Sequence, residues 1–172
     1  MAVGDRIKRV RNFRGMTQKE LGLALGFAEN TADVRIAQYE SGTRRPKEDT
    51  LWKISEVLDV NYRSLYEPRD YHAEDIMYTL FEMDEHYSCM TVYDVEDTSD
   101  RFDIQKHKAV SFHVRLLDDL IAEWQQRKLE LANGEITREE YTEWKLNWPQ
   151  STDDLGKTKP TKLWRKGGAD QA

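Results

Sequence analysis

The 172-residue chain is poor in cysteine and proline, with one and four of them, and it has no long apolar run. A single cysteine, Cys89, cannot form an intramolecular disulfide or a multi-cysteine zinc site, which excludes disulfide-stapled and zinc-finger scaffolds and favours a reducing compartment. No stretch reaches the roughly 18 apolar residues of a membrane-spanning helix, and the N-terminus alternates charged and apolar residues instead of forming the apolar run of a signal peptide. We therefore expect a soluble, cytoplasmic protein without membrane contact.

Residues suited to catalysis or metal binding are also scarce. No two of the four histidines stand at the i, i+4 spacing of a helical metal motif, since they occur at His72, His86, His107 and His113. Cys89 has no neighbouring base that would make it a nucleophile. The sequence therefore predicts no catalytic residue, no metal site and no cofactor.

Charge is distributed unevenly along the chain. The net charge of −6 divides into +2 over residues 1–67, −10 over residues 68–148 and +2 over residues 149–172. A change of sign within one chain indicates two modules, of which the first can contact a polyanion and the second is repelled by it.

Residues 1–67 carry signals for five short helices. The second starts after Thr17, which forms a capping box with Glu20, and it ends at Gly26. After a loop, a third helix is predicted from about residue 31 or 32 to Glu40. A short capped helix, a loop and another short helix make the helix-turn-helix arrangement.

A series of residues spread over positions 4–66 identifies this arrangement further: Ile7, Arg11, Gly15-Met-Thr-Gln-Lys-Glu-Leu21, Leu25-Gly26, Ile36-Ala-Gln-Tyr-Glu-Ser-Gly42, Pro46, Leu51, Ile54, Leu58 and Val60. In this order they resemble the Cro/C1 (XRE) family of helix-turn-helix domains, known from lambdoid phage repressors. The resemblance implies a five-helix, lambda-repressor-like domain that binds double-stranded DNA and regulates transcription as a repressor. Two features depart from the family: Gly22 replaces the usual Ala, and the turn between Gly26 and Ile36 is about three residues longer.

The resemblance also assigns roles in DNA binding. The recognition helix would read bases through Asp33, Val34, Arg35, Ala37 and Gln38. Gln38 is the best single candidate, because glutamine can bond adenine N6 and N7 together. Phosphates would be bound by Thr17, Gln18, Arg44, Arg45 and Lys47, whereas Arg11 and Glu40 match a structural pair. The alternative for the arginine runs is a plain solubilising surface.

Residues 70–148 predict a small acidic α+β domain. Apolar spacing predicts a helix over 71–87, alternation predicts antiparallel strands over 90–95, 102–104 and 109–113, and a helical hairpin follows from Val114 to Trp148. Residues 149–172 read as a flexible tail. The expected fold class is therefore mainly α, with one helix-turn-helix domain and one small α+β domain.

This second half more weakly resembles the C-terminal regions of uncharacterised phage-like regulators of Gram-positive bacteria. The similarity lies in Gly134-Glu-Ile-Thr, Glu140-Tyr, Glu143-Trp-Lys and Trp148-Pro149, and it implies no activity.

An apolar and aromatic stripe in the helical hairpin is either a dimerisation surface or the core of this domain; it comprises Val114, Leu117, Ile121, Trp124, Tyr141, Trp144 and Trp148. Two functions stay open. One is a homodimeric regulator of an inverted-repeat operator, whose second domain dimerises, senses a small effector or contacts a partner. The other is an interaction protein of the antitoxin or antirepressor type, whose acidic domain binds a partner protein while the helix-turn-helix autoregulates.

Overall fold

The computed structural model describes residues 2–66, 73–87, 90–97, 105–153 and 161–165. Within them lie seven α-helices, one 3-10 helix and one two-stranded antiparallel sheet. The predicted fold class, mainly α with an N-terminal helix-turn-helix domain, is confirmed. The chain divides into two compact units, the first from residues 1–70 and 134–172 and the second from residues 71–133.

The first unit begins with four short helices and the 3-10 helix Tyr62–Ser64. The four helices are α1 Val3–Phe13, α2 Gln18–Ala24, α3 Ala32–Glu40 and α4 Glu48–Val57. Glycines at positive φ follow three of them, because the left-handed conformation that ends a helix costs glycine little; they are Gly15, Gly26 and Gly42. The five helical segments predicted for this part of the chain are present, the last as a 3-10 helix.

These elements enclose one apolar core. Its most deeply buried members are Ile7, Leu21, Ile36, Ile54, Leu58 and Leu65. Gly22 lies where α2 crosses α3, and a Cβ atom there would come within 2.4 Å of the Ala32 carbonyl oxygen. The departure from alanine at this position is therefore required by the close approach of the two helices.

A fifth α-helix of the first unit comes from far along the chain. This helix, α7 (Arg138–Asn147), is capped by Thr137 and places Leu146 in the core of the first unit. The Leu146 carbonyl accepts hydrogen bonds from the Asn61 amide at 2.9 Å and the Ser64 hydroxyl at 2.6 Å. This corrects the expected boundary, which placed α7 in a domain of residues 70–148. Its periodicity and cap predict the helix but not the surface to which it docks.

The described residues that follow α7 also pack against the first unit. Ser151 and Thr152 are fully buried, and the Ser151 hydroxyl donates to the Trp144 carbonyl at 2.6 Å. Lys162 donates to the Asn147 side-chain oxygen at 2.7 Å, and Trp164 is buried. This corrects the expectation of a flexible tail for residues 149–153 and 161–165. Their polar side chains could not build a core of their own, but they pack against the core of the first unit. Residues 154–160 and 166–172 lie outside the described residues.

The second unit holds α5 Ala73–Tyr87, β1 Met90–Asp97, β2 Gln105–Phe112 and α6 Arg115–Ala132. The strands pair antiparallel, with Met90 opposite Phe112 and Val92 opposite Val110. The predicted antiparallel sheet is confirmed. The strand that was predicted over 109–113 begins earlier, at Gln105. The strand predicted over 102–104 lies outside the described residues.

Candidate nucleic-acid interface

The start of α2 is fixed by reciprocal hydrogen bonds. The Glu20 amide donates to the Thr17 hydroxyl at 3.1 Å, and the Thr17 amide donates to the Glu20 carboxylate at 2.7 Å. The bond from the Thr17 amide lowers the pKa of Glu20, because it favours the charged carboxylate. The predicted capping box is therefore confirmed, and it fixes Thr17 and Gln18 at the N-terminal end of α2.

A buried ion pair ties α1 to the end of α3. Arg11 donates through Nε and Nη2 to the two Glu40 oxygens, at 2.6 and 3.1 Å, and through Nη1 to the Met16 carbonyl at 2.6 Å. Gln18 joins the network, since its Nε2 donates to Glu40 at 2.7 Å. An amide nitrogen carries two hydrogens, so one N–H of Gln18 holds the scaffold while the other is available for a ligand.

The two faces of α3 differ in exposure. Ala32, Ile36 and Tyr39 are buried in the core. The five residues to which base reading is assigned lie outside this buried set: Asp33 and Val34 are exposed, and Arg35, Ala37 and Gln38 are half-buried. The register of α3 therefore leaves these five side chains accessible to a ligand.

Arg35 is braced by an aromatic side chain that the sequence did not single out. Its guanidinium lies over the Phe27 ring, 5.0 Å from the ring centroid. The centroids of the Phe27 and Tyr39 rings lie 6.5 Å apart. Phe27 follows the glycine that ends α2, at a position that sequence analysis assigned only to a loop. The contact restricts the directions in which Arg35 can extend from α3.

Three exposed cations follow α3: Arg44, Arg45 and Lys47. The Arg44 amide donates to the Gln38 carbonyl at 3.0 Å, which fixes the turn against the end of α3. Among the described residues, none of these three cations forms an ion pair. Their charge is thus available to an external anion.

A fourth cation near this surface is neutralised. Lys19 on α2 lies 2.9 Å from the Glu29 carboxylate in the loop before α3. The hydrogen bond raises the pKa of Lys19 and lowers the pKa of Glu29, because each charge stabilises the other. The pair is solvent-exposed, so it adds little to stability, but it removes one positive charge from the interface.

The aromatic stripe expected in the helical hairpin is divided between the two units. On α6 of the second unit, Ile121 and Trp124 are exposed. On α7 of the first unit, Trp144 is buried and its ring stacks on Tyr141 at 6.0 Å. Val114, Leu117, Tyr141 and Trp148 are half-buried. Trp144 therefore belongs to the core of the first unit, which corrects the expectation of a single stripe along the helical hairpin.

The described residues contain neither a metal-binding cluster nor a membrane-spanning helix. No group of three or more histidine, cysteine, aspartate or glutamate side chains there could hold a metal ion. No helix in the described part of the chain is long and apolar enough to cross a membrane.

Comparison with known proteins places this geometry in context. Residues 7–65 match the helix-turn-helix family model HTH_3. The chain is 31% identical over 68 residues to the uncharacterised HTH-type transcriptional regulator y4dJ of Sinorhizobium fredii, covering 40% of this chain and 83% of that protein. It is 36% identical over 61 residues to the HTH-type transcriptional regulator ImmR of Bacillus subtilis, covering 36% of this chain and 45% of that one.

An uncharacterised HTH-type regulator of Sinorhizobium medicae is 37% identical over 65 residues, which cover 38% of this chain and 44% of that protein. The chain thus spans less than half the length of the Bacillus subtilis and Sinorhizobium medicae relatives. Among solved structures, the transcriptional regulator BswR is similar, with 31% identity, 50% of this chain and 94% of that chain covered, and a TM-score of 0.38.

Proposed function

The chain belongs to the HTH_3 family of helix-turn-helix transcriptional regulators, and we propose that it is a sequence-specific repressor that binds an inverted-repeat operator as a homodimer. The observation that supports this most is the accessible face of α3, next to three cations that pair with no described side chain. A recognition helix needs such a face for base edges and needs cations beside it for phosphates.

Each accessible side chain has a chemical role in this proposal. Gln38 bonds adenine, Arg35 bonds guanine or a phosphate, and Asp33 accepts from cytosine N4. Val34 and Ala37 offer apolar contact to a thymine methyl group. The phosphate contacts come from Thr17, Gln18, Arg44, Arg45 and Lys47.

The charges of the two units agree with this assignment. Residues 1–70 and 134–172 together carry a net charge of +2, whereas residues 71–133 carry 6 basic and 14 acidic side chains, a net charge of −8. Phosphates repel the second unit, so DNA is expected to meet the first unit alone. Access to chromosomal or phage DNA places this activity in the cytoplasm.

Selection of bound sequences from a random DNA pool by the purified full chain tests the proposal. We expect enriched inverted repeats whose half-site centres lie one helical turn apart, about 34 Å or 10 base pairs. Inserting five base pairs between the half-sites should reduce affinity to that of one half-site, because the second half-site then faces away. A pool without enriched sequences would refute specific DNA binding, and a single asymmetric half-site would refute the two-fold operator.

The sign of regulation needs a separate measurement. In vitro transcription from a promoter that overlaps the selected operator should fall as the chain is added, since bound protein excludes the polymerase. Increased transcription would contradict repression.

A second candidate function is that of an antitoxin or antirepressor, in which residues 71–133 bind a partner protein. The strong acidity of this segment favours it, because a basic partner would be attracted. A purified chain that is monomeric and binds its operator only when a partner is added would select this function.

A further inference from the structure

The part of the second unit that the structure describes has only half-buried and exposed large apolar side chains. Every large apolar side chain that the structure buries belongs to the first unit, and none lies in the described parts of residues 71–133. A two-stranded sheet is at best marginally stable unless it packs against further structure. The described part of the second unit therefore has no buried apolar core of its own.

The exposed apolar surface is continuous across α5 and the β-hairpin. Between them lies a groove of about 400 Å³. Its apolar lining consists of Met77, Leu80, Phe81, Met90, Val92 and Val110. Phe81 and Val92 are 53% and 64% exposed. Apolar side chains left open in one groove favour burial against a partner, because soluble monomers seldom expose contiguous apolar surface without a binding role.

Two charged residues in the same groove make it self-complementary. Asp84 has no ion-pair partner among the described side chains, and Lys108 is paired only with Asp94 across the sheet, at an exposed site where an ion pair adds little stability. In a two-fold interface a contact between residues i and j occurs twice. Asp84 of each copy can thus meet Lys108 of the other, although both copies of the unit are acidic overall.

We propose that this groove, formed by α5, β1 and β2, is the homodimer interface, and that its occupant is the same surface of a second copy of the chain. The apolar side chains of the two grooves cover one another, and two equivalent Asp84–Lys108 ion pairs set the register. The proposal rests on the dimeric function proposed above, but it assigns the contact to α5 and the β-hairpin and not to the helices α6 and α7.

Sedimentation equilibrium of the full chain without DNA tests the interface. We expect a dimer, and we expect Phe81→Glu to raise the dissociation constant at least tenfold. Thr79→Glu is the matched control, because it introduces the same charge on the same helix at an exposed side chain that does not line the groove; it should change the constant less than threefold. A wild-type chain that stays monomeric at 100 µM, or a Phe81→Glu chain that dimerises normally, would overturn the proposal.

A charge exchange tests the register. Asp84→Lys and Lys108→Glu should each weaken self-association, because every ion pair in either homodimer then joins like charges. An equimolar mixture should form heterodimers, since both pairs in the mixed dimer join opposite charges. A mixture no more dimeric than either variant alone would refute this register.

Binding to a single half-site separates this inference from the function on which it rests. Half-site binding needs only the first unit. A chain that binds a half-site and its inverted repeat, but whose dimerisation is unaffected by Phe81→Glu, refutes the interface alone, whereas a groove-dependent dimer that binds no DNA sequence refutes the DNA-binding function alone.

Discussion

Arg14 and Glu143 form a two-point ion pair although 128 residues separate them in the chain. Arg14 Nη1 and Nη2 lie 2.5 and 2.8 Å from the two Glu143 oxygens, and Arg14 also donates to the carbonyls of Leu58 and Asp59. The bond to Glu143 raises the pKa of Arg14. One side chain thus joins the end of α1, the end of α4 and the late helix α7, which ties α7 to the first unit.

Replacing Glu143 with glutamine should destabilise this unit. The substitution keeps the shape of the side chain but removes the charge that Arg14 faces at a partly buried site, so we expect the free energy of unfolding to fall by about 1–2 kcal/mol. Urea unfolding followed by tryptophan fluorescence measures the change. Glu29→Gln is the control, because its ion pair with Lys19 is solvent-exposed and the free energy should be unchanged within error. Equal effects of the two substitutions would show that the Arg14 contact does not hold α7.

Leu146 is expected to stabilise the first unit through its buried side chain. Leu146→Ala removes an apolar side chain that is 5% exposed in the core, which should reduce the free energy of unfolding by about 2–4 kcal/mol. Leu129→Ala on α6 is the matched control. Its side chain is 51% exposed, so the change should stay within about 0.5 kcal/mol. A stable chain of residues 1–68 that unfolds like the full protein would contradict the assignment of α7 to this core.

Local signals predicted the elements of the fold but not how distant elements associate. The capping box at Thr17 and the glycine Gly26 mark helix boundaries that the structure reproduces, because each depends on neighbours within four residues. The docking of α7 depends on the backbone amide of Asn61 and the side-chain hydroxyl of Ser64, more than 80 positions earlier. No periodicity in α7 identifies those partners.

In the candidate site, too, some contacts were predicted from the sequence and others were not. The resemblance placed Arg11 and Glu40 as a pair, and the structure joins them within 2.6 Å. The contact of Phe27 with Arg35 and the pairing of Lys19 with Glu29 were not predicted, because both cross the lengthened turn whose path the sequence left open. The sequence also offered no reason for Gly22 in place of alanine. The reason lies in the carbonyl oxygen of Ala32, which occupies the space of a side chain.

The salt dependence of DNA binding should identify the phosphate contacts. If Arg44 and Arg45 each neutralise one phosphate, the double substitution Arg44→Ala/Arg45→Ala should flatten the slope of log affinity against log salt by about 2, since each contact contributes about 0.9. The control is Lys53→Ala/Arg63→Ala, which removes two exposed cations of the same unit outside this segment and should leave the slope unchanged. Equal slopes for all three proteins would assign Arg44 and Arg45 to ordinary surface.

Gln38 is expected to read a base. Its backbone is fixed, because its carbonyl accepts from the Arg44 amide and the Ser41 hydroxyl, while its side chain is half-buried on the accessible face of α3. Gln38→Ala should cost about 1–3 kcal/mol of affinity for the selected operator and little for random DNA. The variant should also bind equally well when the adenine that wild-type Gln38 contacts is replaced by another base. Measuring the affinity of both proteins for the original and the altered operator therefore completes a double-mutant cycle.

Arg45→Ala serves as the comparison for Gln38→Ala, because loss of a phosphate contact lowers affinity for operator and random DNA equally. Equal losses for Gln38→Ala on operator and random DNA would show that its side chain does not distinguish bases.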